Sequence, residues 1–310
     1  MSEPRSPGGG EDTTRRGEPR SRSRWEPRPS SEVGRRIRVV LGRIFLYLVM
    51  AFVLAISLLP LVWVLVTSFK SNQEILSSAL TLPKLWSFHG YVLAVQLAKL
   101  QLKFITSMIV ATCATVGSLL IYSMAAYVLA RTKFRLKGVV FTLLISSILI
   151  PVNTMVQPVY EIIRRLGLYD TKAALILVNI GFALPLCLFL LRSFLLSLPV
   201  ELEEAAYIEG ASFPRTFWRI IFPLAQPALT SAGVLTFLGT WNELLYALLL
   251  TSSERNRVLP LAIRYFTQQF TFDYSAMFAA LVLYIVPSLI IYVILQNQIM
   301  EGLVAGAVKE

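Results

Sequence analysis

The sequence predicts an all-α polytopic membrane protein with six spanning helices, and three observations predict it. First, 55% of the 310 residues are hydrophobic and only 15% are charged, against about 25% charged in soluble domains. Second, the charges are segregated: uncharged runs of 26, 27, 23, 19 and 27 residues follow Arg43, Lys103, Lys137, Lys172 and Asp273. A spanning helix needs about 20 mostly apolar residues. Third, a sixth window, Pro227 to Thr251, holds a single acid, Glu243. One such window reads equally well as a buried core helix, but six in one chain do not.

Residues 1–43 form a tail with eleven Arg and six acids among Pro, Ser and Gly. Such a segment buries too little surface to offset its ordering entropy, so disorder is expected to about Val33. A role in topology and at lipid headgroups fits it better than nucleic-acid binding, because no basic domain or aromatic platform stands behind it. The first span, 44–69, is read as retained: its leader is over 40 residues long, and its apolar run exceeds the roughly 7–15 residues of a signal core.

The second span, 104–130, carries Gly117, Ser118, Ser123, Ala125 and Ala126, small residues that allow close helix packing within the chain or against another subunit. Spans three to six are placed at 138–160, 173–191, 227–251 and 274–297. Cys113 and Cys187 lie inside spans and suggest neither disulfide nor metal site. His89 sits in a loop without metal-ligating neighbours. Pro60, Pro151, Pro158, Pro185 and Pro287 lie in or near spans, as hinges or as packing kinks.

Orientation follows from the positive-inside rule. With the amino terminus inside, the inner segments carry 19 Lys/Arg and the outer ones 10. The Arg35–Arg43 cluster and the turn "RTKFRLK" dominate, although "IRRLG" on the outer side runs against the trend. Both termini are therefore placed in the cytoplasm, and so is the loop 192–226.

That loop reads as two short helices. Pro199 suits a first turn, and Glu201, Glu203 and Glu204 favour the positive end of the helix dipole. Leu202, Ala205, Ala206 and Ile208 form a small apolar side. Gly210 suits a left-handed stop, and Ser212 can cap the second helix. Phe213, Phe217 and Ile221 then repeat every four residues, with Arg215 and Arg219 on another side. A helix lying in the headgroup layer would explain the Phe/Arg half, but an anionic leaflet would repel the three acids. A protein partner fits both halves.

Glu243 is the other singular group. It lies 16 residues past Pro227, or about 24 Å at 1.5 Å per residue. In a core of about 30 Å this is toward the outer end. An acid there faces protein or water. With Trp241 and Asn242 it reads either as a polar wall of a translocation path or as an interhelical bond, while Trp241 also suits an aromatic belt at the interface.

The stretch "EAAYIEGASFPRTFWRIIFP" resembles the cytoplasmic loop shared by membrane subunits of binding-protein-dependent ABC importers. That pattern is Glu-Ala-Ala, three residues, Gly, nine residues, Ile, one residue, Leu-Pro. It falls on Glu204, Ala205, Ala206, Gly210, Ile220 and Pro223, with Phe222 in place of Leu and Glu209 where Asp is commoner. "RTKFRLKG", "LGLYDT", "WNELLYALLL" and "GLVAGAVKE" resemble carbohydrate-importer permeases, in particular the second permease of a maltose-type pair. The likeness covers about 44–310.

The resemblance implies that the loop is a coupling helix docked in a groove of a separate ATPase. Glu204 would pair with a basic group there, Ala205 and Ala206 would give close contact, and Gly210 would permit the turn. It implies further partners: a second permease, a dimer of ATPase subunits that binds ATP and Mg, and an extracytoplasmic substrate-binding protein meeting the loop Ser252–Ser275. It places the chain in a bacterial cytoplasmic membrane, importing a sugar or oligosaccharide, or alternatively glycerol phosphate or another small solute. Trp241, Asn242 and Glu243 become candidates for the translocation path, without sugar ligation, since most sugar contacts in maltose-type pairs come from the other permease. The chain is no enzyme by this reading, because it lacks a G-x-x-x-x-G-K-[ST] phosphate loop and its spans hold no paired carboxylates, His/Cys cluster or nucleophile–base set. A secondary transporter would show repeated halves and midplane ionisable groups. No clear repeat is visible, and there is only one such acid.

Overall fold

The computed structural model describes residues 32–78, 80–266 and 273–307, and every regular element among them is helical. The expected disorder of the tail lies outside the described residues up to position 31. From Glu32 the chain is a helix, α1 (Glu32–Thr67), which starts ahead of the predicted span. Two compact units divide at Leu58/Leu59. In the first, apolar side chains from Ile37 to Leu58 stand largely exposed, as suits a helix whose surroundings are lipid or other protein.

The second unit begins with the end of α1. Short helices α2 (Asn72–Ser77) and α3 (His89–Leu97) come next. Ser71 and Glu74 close a reciprocal capping box on α2, which satisfies two otherwise unpaired amides. His89 thus opens a helix instead of lying in a loop. Helix α3 packs against α14 (Tyr274–Ala307), where a side chain at Gly90 would lie 2.4 Å from the Ser275 hydroxyl.

Two long helices form the centre: α4 (Leu100–Arg131) and α7 (Lys172–Ser197). The small residues of α4 are spent within the chain: Ser118 and Ala126 are fully buried, and a side chain on Gly117 would sit 2.7 Å from Ile180 on α7. Helices α4 and α7 run in the same direction, because Arg131 at the end of α4 donates to the carbonyl of Leu198 just past α7 (2.9 Å). Between them the chain returns through α5 (Lys137–Ser146) and α6 (Val156–Arg165).

This return is not the straight span predicted at 138–160. The pair Lys137–Leu149 and Val152–Arg165 is bent by 95°. Pro151 causes the break: it lacks an N–H and disfavours helical geometry at the residue before it, and Ile150 is extended (φ −83°, ψ 116°). The bend leaves an apolar cavity of about 480 Å³ between this pair and α7, with Ile148, Met155, Ile162 and Phe182 in its wall. Pro60, Pro185 and Pro287, by contrast, sit inside continuous helices.

The predicted fifth span, 227–251, is also broken. Helix α11 (Gln226–Trp241) stops, and α12 (Leu245–Leu250) restarts after three residues. A short helix α13 (Pro260–Tyr265) precedes α14. Among the described residues four helices are long and apolar enough to cross a membrane, and the count reaches six if each of two bent pairs is one span. The second pair, Phe213–Leu224 and Gln226–Trp241, is bent by 75°.

Cys187 is buried against the Thr236 hydroxyl (3.1 Å), Cys113 is exposed, and both are free thiols. No cluster of His, Cys, Asp or Glu able to hold a metal exists among the described residues.

Candidate functional site

The loop between α7 and α11 builds from its ends inward. Helix α8 (Glu201–Ile208) ends in a Schellman arrangement: Ala211 N–H donates to the Ala206 carbonyl (2.9 Å) and Gly210 N–H to that of Tyr207 (3.0 Å). This needs a left-handed residue after the cap, and Gly210 supplies it at φ +81°. Ser212 precedes α9 (Phe213–Thr216), but its side chain makes no cap bond; its carbonyl accepts from Thr216 instead. The predicted side-chain cap is thus replaced by backbone bonding. The chain then widens into a π turn, Phe217–Ile221, before α10 (Phe222–Leu224). Pro223 lacks the N–H that would close an ordinary turn onto Arg219, so a wider turn fits there.

The apolar repeat of the second half faces inward. Phe217 and Ile221 are buried, Phe213 is half-buried, and Arg215 and Arg219 are exposed. Phe213 stacks on Tyr127 of α4 with centroids 4.5 Å apart, and Phe217 lies 5.1 Å from the same ring. Such pairs contribute about 0.5–1.5 kcal/mol beyond their buried area.

Helix α8 is divided differently from the sequence reading. The small apolar side splits: Ala206 is buried, while Leu202, Ala205 and Ile208 are exposed. Glu203, three residues before Ala206 and so on the same face, is the inward acid, 3% exposed. Its Oε1 accepts from Arg131 Nε (2.5 Å) and its Oε2 from the Tyr127 hydroxyl (3.2 Å). Removing one partner of such a buried pair costs about 3–5 kcal/mol. Glu204, Ala205, Glu209 and Gly210 are exposed on α8 and its stop; Ile220 is half-buried in the core, and Pro223 is exposed. Ala206 therefore contacts the chain's own interior and is not on the outward face with Ala205.

In the sequence Glu203 suits the helix dipole and Arg131 belongs to the positive-inside count. Neither assignment finds their pairing, because the partners lie 72 residues apart. Other charges of the "RTKFRLK" turn are also used locally. Lys137 donates to the Ala130 carbonyl (2.9 Å), and from α7 Arg192 donates to that of Leu129 (3.3 Å). Both cover the negative end of α4. Lys133 and Arg135 alone of that turn's cations are exposed.

At the opposite end of the bundle, Trp241, Asn242 and Glu243 mark the break between α11 and α12. Trp241 is buried at 1% exposure, edge-on to Phe104 (5.7 Å) and stacked with Phe237 (5.9 Å), so it belongs to the core and not to an aromatic belt. The bonds of Glu243 among the described residues are local and give neither of its two readings directly. Its carboxylate accepts from the amides of Tyr246 (2.7 Å) and Ala247 (2.9 Å), which caps α12. Asn242 is exposed, donates to the Leu238 carbonyl (2.7 Å), and accepts from the Tyr284 hydroxyl of α14. An acid, an amide and a phenol thus line a helix break near one end.

The adjoining segment is braced. Asp170, left-handed at φ +57°, accepts through Oδ1 from the amides of Ser252 (2.9 Å) and Ser253 (3.0 Å), and its own amide donates to the Leu250 carbonyl (2.9 Å). Partial burial raises its pKa, but hydrogen bonds, led by that from the Ser253 amide, outweigh this and hold the carboxyl well below the usual carboxylate range. Glu254 is likewise lowered: burial opposes its charge, and Lys103 (3.0 Å) and Arg257 (2.5 Å) more than compensate.

Among the described residues, long apolar helices, broken helices near one end and an anchored amphipathic loop at the other fit a protein that spans a membrane. The sequence comparisons make this specific. Residues 117–299 match the family described as "Binding-protein-dependent transport system inner membrane component", and the chain belongs to that family. It is 36% identical over 257 residues to the diacetylchitobiose uptake system permease protein NgcG of Streptomyces coelicolor, covering 82% of this chain and 83% of that one. It is 33% identical to the trehalose/maltose transport system permease protein MalG of Thermococcus litoralis, over 90% and 98% of the two chains. The same fold occurs in a bacterial ABC transporter that imports the acidic polysaccharide alginate, with a TM-score of 0.73 at 21% identity over 86% of this chain and 98% of that one.

Proposed function

We propose that this chain is the membrane-spanning subunit of an ATP-driven, binding-protein-dependent importer for a sugar or oligosaccharide. The observation that carries the reading is the two-sidedness of α8. One face, Glu203 and Ala206, is buried in the chain's own bundle, while Glu204, Ala205 and Glu209 stand outward beside a glycine-made turn. A loop so anchored leaves Glu204, Ala205 and Glu209 of its motif outward for a partner. In this reading they dock on an ATPase subunit, with Glu204 paired to a basic group, Ala205 in close contact, and Ile220 and Pro223 shaping the exit. The partners are that ATPase as a dimer holding ATP and Mg, a second permease, and an extracytoplasmic binding protein. The sugar class follows from relatives that take up diacetylchitobiose and trehalose or maltose.

Six spans with both termini cytoplasmic in a bacterial inner membrane complete the proposal, counting 138–160 as a bent span and 227–251 as one span broken at residues 242–244. Asn242, Glu243 and Tyr284 at the α11–α12 break contribute polar groups to the path. The alternative of an ATP-independent secondary transporter needs an ionisable group available for coupling, whereas the Glu243 carboxylate is engaged in capping α12.

The test is affinity purification from detergent with mass spectrometry of co-purifying proteins. A second permease and an ATPase are expected, with the ATPase lost in Glu204→Lys. A chain that holds no ATPase and transports in liposomes without ATP would overturn the proposal.

A further inference from the structure

We propose that Arg131, Glu203 and Tyr127 form a latch that makes the coupling loop and the end of α4 move as one body. This rests on the importer reading above. Two independent attachments converge on the last turn of α4. The first is polar: Glu203 on α8 takes bonds from Arg131 and Tyr127, and Arg131 also reaches the Leu198 carbonyl that leads into α8. The second is aromatic: Phe213 and Phe217, beyond the Gly210 turn, pack on the Tyr127 ring. Both arms of the loop are therefore tied to one turn of one helix, from either side of its only left-handed residue.

The ion pair is nearly dry, with side-chain exposures of 9% for Arg131 and 4% for Glu203. In such a place attraction between charges is screened little by water, and separating them leaves two unpaired buried groups. Displacement of α8 is thus costly unless α4 moves with it. Helix α4 runs the length of the bundle, from that turn to Phe104 against Trp241 beside the α11–α12 break. A push on the outward face of α8 would in this way be delivered to the polar break at the far end. Arg131, Glu203 and Tyr127 act here as positioning residues, touching neither nucleotide nor sugar.

The experiment uses the complete transporter with its ATPase, in nanodiscs, with spin labels at the exposed positions Glu201 and Arg135. The distance between them is measured by pulsed resonance without nucleotide and with ATP and vanadate. In the otherwise unaltered protein the distance is expected to stay constant. In Glu203→Gln, which keeps the shape and loses the charge, and in Arg131→Met, it is expected to shift on ATP binding while the ATPase stays bound. Tyr127→Phe, which keeps the aromatic stack, should show a smaller shift. A distance that shifts as much in the unaltered protein, or that stays constant in both charge variants, would overturn the latch. So would loss of the ATPase from Glu203→Gln alone, since Glu203 would then serve docking. An unaltered protein that holds no ATPase would overturn the importer reading and the latch with it.

Discussion

At the residue scale, the loop depends on one backbone conformation. Gly210 is left-handed, and nothing lies within 4 Å of where its side chain would begin. A substitution there is therefore limited by backbone strain and not by space. For an ordinary L-residue that strain costs roughly 1–2 kcal/mol, and Asn tolerates the conformation better. Gly210→Asn should thus retain the ATPase in affinity purification, Gly210→Ala should weaken its retention, and Gly210→Pro should uncouple uptake from ATP hydrolysis. Proline can adopt neither φ +81° nor donate the bond to the Tyr207 carbonyl. Equal retention and uptake in all three would contradict this account. The need for Gly210 was readable from the sequence, because a glycine after a short acidic helix has one common use. The inward turn of Glu203 was not, because two adjacent acids differ only in the face they occupy, and that face is decided by Arg131, far away in sequence.

At the element scale, the two bends differ in how plainly the sequence announces them. Pro151 breaks its helix by local chemistry, so a break near 150 was implicit in the sequence even though 138–160 reads as one apolar span. The α11–α12 break has no proline or glycine at residues 242–244; it exists because Glu243 offers its carboxylate to the restarting helix, a preference that apolar counting does not register. The other end of α12 is fixed by Asp170. Its folded pKa lies below its unfolded value, so the stabilisation is complete above the unfolded value of about 3.9. It is lost only as pH falls through the lower, folded value. Hydrogen exchange of the Ser252 and Ser253 amides should therefore show equal protection factors at pH 5 and pH 7. Asp170→Ala should exchange faster at both, by roughly 10-fold for loss of one bond to a charged acceptor. Protection that falls between pH 7 and pH 5 in the unaltered protein would show that another group titrates there.

At the scale of the whole molecule, the arrangement in the membrane depends on where charge remains exposed. The helical class is legible in composition, because five uncharged runs and a sixth window with one acid are of the length of spanning helices, about 20 residues, and not of the roughly 9–11 of barrel strands. The sign of the orientation was read from clusters of Lys and Arg, and part of that count proves to be committed elsewhere: Arg131 is paired with Glu203, and Lys137 covers a helix carbonyl. The exposed cations of that turn, Lys133 and Arg135, remain on the same side as the loop, together with Arg215 and Arg219. The positive-inside rule counts charge near the ends of spans, so the expected orientation rests on these exposed cations. Cysteines introduced at Arg135 and Ile208, in a chain whose exposed Cys113 has been replaced, should react with a membrane-impermeant maleimide only after cells are lysed. Cysteines at Leu82 and Ser252 should react in intact cells. Labelling of Arg135 or Ile208 from outside would invert the orientation and place the loop where no ATP is available, so the same measurement decides whether an ATPase can reach Glu204.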